Sequence, residues 1–267
     1  MTLLLGSLMV PLQTQIESRK VTETQKILDN AREALMGYAA AYGYFPCPAA
    51  YGGSTGAEAT PNDHTAGNGT CPSNTAIPAT NVTAGGVSGV YIGYLPAVTL
   101  GFTPVDANGY AVDAWGGTGA LNRIRYAVSS SSVNSATNCT ATPINRPFTS
   151  ATGIRTATMA CIIGTTLLSV CNAAPASAPA TACNPTSTAL TSNAIAVIWS
   201  LGANAATPIG GSFSTQEAQN VEALASADRV FVMRDKSNVA ATEFDDIVVW
   251  ISTPILFSRL LAAGQLP

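Results

Sequence analysis

The spacing of apolar and polar positions changes along this chain, and each change predicts a different element. The first twelve residues, MTLLLGSLMVPL, carry no charge and are mostly aliphatic. Residues 13–42 contain no proline, and their first glycine is Gly37. Apolar positions recur at Leu12, Ile16, Ile27, Ala31, Ala34, Leu35, Tyr38 and Tyr42, mostly at three-, four- or seven-residue steps. Between them fall Glu17, Arg19, Lys20, Glu23, Lys26, Asp29, Arg32 and Glu33, several placed for i,i+3 or i,i+4 pairing. This pattern predicts one long amphipathic helix that Gly43 closes and that Pro46 and Pro48 keep from resuming. Gly6 and Pro11 predict a break in it, because an internal proline removes a hydrogen bond and costs about 3 kcal/mol.

Beyond the helix the period shortens. Residues 46–89, rich in Gly, Pro, Asn and Thr, predict a long loop. Residues 121–128 alternate, with Ile124, Tyr126 and Val128 on one side and Arg123, Arg125 and Ala127 on the other, as in a half-buried antiparallel strand. Residues 159–163, 195–201, 230–233 and 247–251 are apolar runs of strand length. Residues 253–263 predict a closing helix with Ile255, Leu256, Leu260 and Leu261 as its apolar face and Gly264 as its stop. The expected fold is α+β, a long N-terminal α-helix packed on an antiparallel β-sheet head with long disulfide-pinned loops. Its parts would be a stem, residues 1–43, and a globular head, residues 44–267.

Composition sharpens this picture. Charged residues make up only 10% of the 267, against roughly 25% in ordinary soluble domains, and none lies between Arg155 and Glu217. A net charge of -3 offers no basic face, so no nucleic acid partner is expected. The six cysteines sit in Thr/Asn/Pro-rich stretches without a CxxC, and the single histidine, His64, cannot complete a zinc set. Disulfides and an oxidising compartment follow, with free buried thiols as the alternative. The connectivity is open; loop length favours Cys47–Cys71 and Cys161–Cys171, leaving Cys139–Cys183.

Catalytic chemistry has little to stand on. His64, in NDHTAGNGT, reads as a surface histidine on a flexible loop, no nucleophile motif accompanies it, and no phosphate-binding glycine loop occurs. Trp115 in DAWGG reads as a buried turn anchor and Trp250 as core. The expectation is a protein that is not an enzyme.

LLLGSLMVPLQTQIESRKVTETQKILDNAREALMGYAAAYGYFPCPA resembles the first helix and following loop of type IV pilins and type II secretion pseudopilins. LPAVTLGF, VDAWGGTGALNRIRYAV, AVIWSLGANA and EFDDIVVWISTPILFSRLLAAGQLP resemble later family segments in the family's order. The resemblance implies a structural subunit of a pilus or pseudopilus filament, held in the inner membrane before assembly and then periplasmic or extracellular. Its partners would be copies of itself or other pilins and the pilus or secretion assembly machinery. Leu3, Leu4, Leu5, Gly6, Leu8, Pro11, Leu12 and Ile16 would form the filament-core helix, with residues 6–11 as its melting region. The family's cleavage site and early glutamate do not appear, and the apolar segment falls short of the roughly 20 residues that span a bilayer. The pattern fits better with the start of that segment missing. The family also holds calcium beside a segment like SLGANA, which makes Asp245, Asp246 and the Leu201 carbonyl candidate ligands. An acidic strand entry with ordinary hydrogen bonds is the competing reading. The alternative function is a minor tip pilin or adhesin binding a surface, DNA or secreted cargo, motivated by the long stretches at Cys47–Cys71 and Cys139–Cys183. The charges of the stem would then pair either with solvent or between neighbouring subunits.

Overall fold

The computed structural model describes residues 2–51, 53, 55–72, 89–116, 120–133, 144–162, 165, 167–176, 180, 182–205, 214–226, 229–239 and 242–266. Helix α1 (Thr2–Tyr42) begins the chain. Its buried residues Ile27, Leu28, Ala31, Leu35, Met36 and Ala39 follow the helical repeat and form one stripe. Gly43 ends it at φ +82°, and its N–H donates to the Ala39 carbonyl at 2.8 Å.

Two expectations about α1 change. The helix passes Gly6 and Pro11 unbroken, because a proline removes one donor and the hydrogen bonds of the flanking turns carry the backbone past it. Ile16 and Tyr42, expected on the apolar face, are exposed, while Leu28, Met36 and Ala39 are buried in their place. The stem's charges also find partners within the subunit. Glu17 meets Lys236 at 3.2 Å, Asp29 meets Arg32, and Glu33 meets Arg259.

The stripe lies on a six-stranded sheet made of β1 (Val90–Tyr94), β2 (Arg125–Ser129), β3 (Leu168–Cys171), β4 (Ala189–Ser200), β5 (Val230–Val232) and β6 (Ile247–Ser252). The order is β1-β2-β4-β3-β5, with β6 on the far side of β4. Twelve-residue β4 is the axis. Ala194 pairs with Leu168 of β3 on one side and Ser252 of β6 on the other, and further along Trp199 pairs with both Arg125 and Val248. The sheet is antiparallel except where β5 runs parallel to β3.

Alternation sorts the side chains into two cores. Tyr126, Val128, Ala196, Ile198, Val249 and Ile251 face the inner side, under α1, α3 (Gly153–Ile162) and α5 (Thr253–Ala262). Ala127, Val197, Trp199, Val248 and Phe231 face the outer side with Val221 of α4 (Thr215–Ser226) and Tyr51. A one-turn helix, α2 (Ala97–Leu100), follows β1. Both sheet faces are covered, so β2 is buried along its whole length rather than half-buried. Residues 159–162 close helix α3 instead of forming a strand; Ile154, Ala157 and Cys161 supply a helical face, and Met159 points outward. In α5 the buried face is Leu256, Phe257 and Leu260, with Ile255 and Leu261 exposed.

Two disulfides are defined. Cys47 and Cys71 are joined, with Cα atoms 5.5 Å apart. Cys171 pairs with Cys183 at 5.7 Å rather than with Cys161. Loop length alone misled here, because the short stretch between Cys161 and Cys171 leaves one cysteine on helix α3 and the other on strand β3. Cys161 is also disulfide-bonded; Cys139, expected to pair with Cys183, lies outside the described residues.

His64 is not on a loose loop. Its Nδ1 lies 2.6 Å from the Thr149 carbonyl and its Nε2 2.7 Å from Glu58 Oε1, and its ring stacks on Tyr44 at 4.4 Å. Glu58 Oε1 also accepts from the Cys47 N–H, and the Ala151 N–H donates to the His64 carbonyl. Both imidazole nitrogens face acceptors, which only the doubly protonated ring satisfies. Burial opposes that charge, but the hydrogen bonds to Glu58 and Thr149 and the charges of Glu58 and Asp63 outweigh it, so the pKa is raised above 6.5.

Two outcomes are expected. Peptide mapping without reductant will recover the Cys47–Cys71 and Cys171–Cys183 pairs, and removing either pair as Cys→Ala will lower stability by about 3 kcal/mol in denaturant unfolding. The His64 contribution is complete below pH 6.5 and lost as pH rises through the raised native value. A thermal midpoint measured against pH will therefore fall across that window in the parent and fall less in His64→Gln.

Candidate functional site

Three separate segments meet where β4 ends and β6 begins. Gly202 turns the chain out of β4 at φ +70°, and no larger residue fits, since a Cβ there would sit 2.3 Å from Asp245 Oδ1. The turn aims the N–H groups of Ala203 and Asn204 at Asp245 Oδ2, at 2.9 and 3.2 Å. Asp246, next in the chain, accepts from Asn220 Nδ2 at 2.8 Å. Asn220 in turn exchanges two 2.8 Å hydrogen bonds with Val232, which anchors α4 to β5.

The third segment is the start of α4. Ser214 caps it, its Oγ accepting from the Glu217 N–H at 3.3 Å and donating to the Glu243 carbonyl at 2.6 Å. Glu217 is buried, accepts from Asn204 Nδ2 through both carboxylate oxygens at 2.9 and 3.0 Å, and accepts from the Asp245 N–H at 3.1 Å. Ligand atoms of Glu217, Asp245 and Asp246 all lie within 4.8 Å of one another. The structure thus brings Glu217, which the sequence reading left out, beside the adjacent Asp245 and Asp246. The signal was present: Ser214-Thr215-Gln216-Glu217 is a capping box. Leu201 stands at the end of β4 with its side chain in the outer core.

Buried carboxylates this close oppose one another's charge. Burial first, then the charges of Asp245 and Glu243, raise Glu217 from 4.5 to about 7. Burial raises Asp245 against the pull of two backbone N–H groups. Asp246 is also raised, through burial first and then its two acidic neighbours. Asn204 Oδ1 and Asp245 Oδ1 are buried without a hydrogen-bond partner. Acidic and amide oxygens left over in one place suit a hard divalent cation, which takes six to eight oxygen ligands when it is calcium. Glu217, Asp245 and Asp246 would hold it. Bound there, it would neutralise their repulsion and tie α4, the turn after β4 and β6 together.

The other candidates stand apart. Trp115 is half-buried, and its Nε1 donates to Glu17 Oε2 at 3.4 Å, so the DAWGG turn grips the stem. Trp250 is half-buried against the outer core. α1 carries Leu3, Leu4, Leu5, Gly6, Leu8, Pro11 and Leu12, whose side chains lie outside the described residues.

Calcium added to metal-free protein at pH 8 will stabilise it by about 2.7 kcal/mol at one hundred times Kd, read as a higher thermal midpoint, and Glu217→Gln with Asp245→Asn will abolish the rise. Without calcium the sign reverses. A native pKa of about 7 against 4.5 means that the parent loses stability as pH rises through that window, and Glu217→Gln escapes the loss.

No family model matches the chain, and no curated protein or solved structure matches it either.

Proposed function

We propose that this chain is the structural subunit of a type IV pilus or pseudopilus-like filament. The observation that carries the proposal is the division of α1. Burial on the head begins at Thr24 and continues to Ala39, whereas residues 13–16 and Ile16 in particular are exposed. At about 1.5 Å per residue, the helix before Thr24 extends roughly 30 Å. Exposed stem residues such as Ile16 are buried only against something outside their own head. Copies of the same helix, or of another pilin, supply that in a filament, and the contacts are heterologous and do not close.

The head keeps the stem in one direction. Glu17 receives Lys236 and the Trp115 indole, and Thr24 Oγ1 accepts from the Ala114 N–H at 3.1 Å. Disulfides support assembly in an oxidising compartment. Among the described residues no helix is long and apolar enough to cross a membrane. The role is mechanical: stems bundle, heads tile the outside, and no reaction is catalysed.

Filaments sheared from cells expressing the chain from its own locus test this. Immunogold labelling will decorate their full length, and Ile16→Asp will lower the filament yield while leaving the folded head intact by circular dichroism. Label confined to the tips would transfer the proposal to a minor subunit that grips a surface or cargo. Absence of the chain from every sheared filament would overturn it.

A further inference from the structure

The outer face of the sheet contains a cationic side chain with buried, unsatisfied nitrogens. Arg125 is only 4% exposed, and its Nε and Nη1 are buried without a hydrogen-bond partner. Its direct cross-strand neighbour on β4 is Trp199, fully buried, with an indole Nε1 that also lacks a partner. Its neighbour on β1 is Tyr94, and over Tyr94 lies Tyr51, ring centroids 4.2 Å apart, whose hydroxyl is buried and unpartnered. Burial keeps that hydroxyl protonated against the pull of Arg125. The guanidinium and the indole can only donate, and the hydroxyl is free to do so.

The carboxylates nearby are engaged. Asp106 takes Arg123 at 2.7 Å. Asp113 accepts from Ser200 Oγ at 2.6 Å, from the Trp115 N–H and from Asn122. Asp246 belongs to the acidic cluster and receives Asn220. Guanidinium nitrogens buried without an acceptor keep their desolvation penalty uncompensated. Arg125, Trp199 and Tyr51 place buried donors on one face, none of them bonded to an acceptor among the described residues, and their chemistry defines what is missing.

We propose that Arg125, Trp199 and Tyr51 form an oxyanion site on the outer face of the sheet, and that its ligand is a small carboxylate or inorganic oxyanion. The guanidinium supplies the charge that a carboxylate, sulfate or phosphate needs. The indole and phenol supply neutral donors, and the surrounding Val197, Val248 and Phe231 exclude water. The dry surroundings favour a ligand of a few atoms over an extended chain.

Thermal unfolding and isothermal titration with acetate, sulfate and phosphate, each against chloride at equal ionic strength, test the site. In the parent, at ten times Kd, an oxyanion that fits will raise the midpoint by about 3 °C over chloride. Acetate alone active identifies a carboxylate ligand; sulfate or phosphate active identifies an inorganic one. Arg125→Met, which keeps the volume and removes the donors, will lose the response and, without oxyanion, match or exceed the parent in stability. A parent unresponsive to all three anions overturns the proposal, as does an Arg125→Met variant that still responds. Should that variant fail to fold, the indole N–H resonance of Trp199 decides in the parent. It will shift on adding the active anion, and an unmoved resonance at saturation overturns the proposal.

Discussion

The contact between the second half of α1 and the inner face of the sheet is the constraint on which the other packing depends. Leu28, Ala31 and Leu35 are fully buried there, on the side of α1 that packs against β4 and β6. Removing a buried leucine of this kind costs about 2–5 kcal/mol. α3 and α5 fill the rest of the same face, so the head has no closed inner core without the helix. A stem that is also a core element cannot swing freely. The direction in which its first half leaves the head is therefore set by the same side chains that stabilise the fold.

Strand β4 distributes that constraint to the outer face. Both sheet faces are covered over its second half, so residues 194–200 are buried on either side, and the turn after Ser200 is delivered beside the start of β6. Gly202 permits the close approach, and α4, anchored through Asn220, adds Glu217. The outer face consequently holds two polar concentrations of opposite kind, the carboxylates at the end of β4 and the donors around Arg125. The charge of Arg125 reaches Asp246 and opposes the rise in its pKa. Direct hydrogen bonding of the two is not observed, and each concentration keeps an excess of one sign.

How far the sequence could be read depended on the range of the interactions involved. The α1 period, the Gly43 stop, the strands around residues 195–201 and 247–251, and the Cys47–Cys71 pair follow from neighbours a few turns or one short loop apart. Met159 and its neighbours were misassigned because a short apolar run is compatible with strand or helix, and packing under α1 selects between them. His64 looked like loop sequence because nothing nearby in the chain announces Thr149 or Glu58 as partners. Asp245 and Asp246 were visible as adjacent acids. Glu217 was not, although its capping box marked the helix that carries it.

By itself, the sequence determined an α+β chain with a long N-terminal amphipathic helix, buried strands and disulfides, because period, turn residues and cysteine placement act locally. Tertiary structure alone decided that α1 runs unbroken through Pro11, and that Cys171 takes Cys183. It also decided that Arg125 turns into a dry face rather than into water. A strand alternation says which side a residue occupies, but only the covering of both faces decides whether that side is wet. For the apolar helix that opened the sequence, this distinction is the useful one: its period made it a helix, and the sheet determined which half belongs to the head.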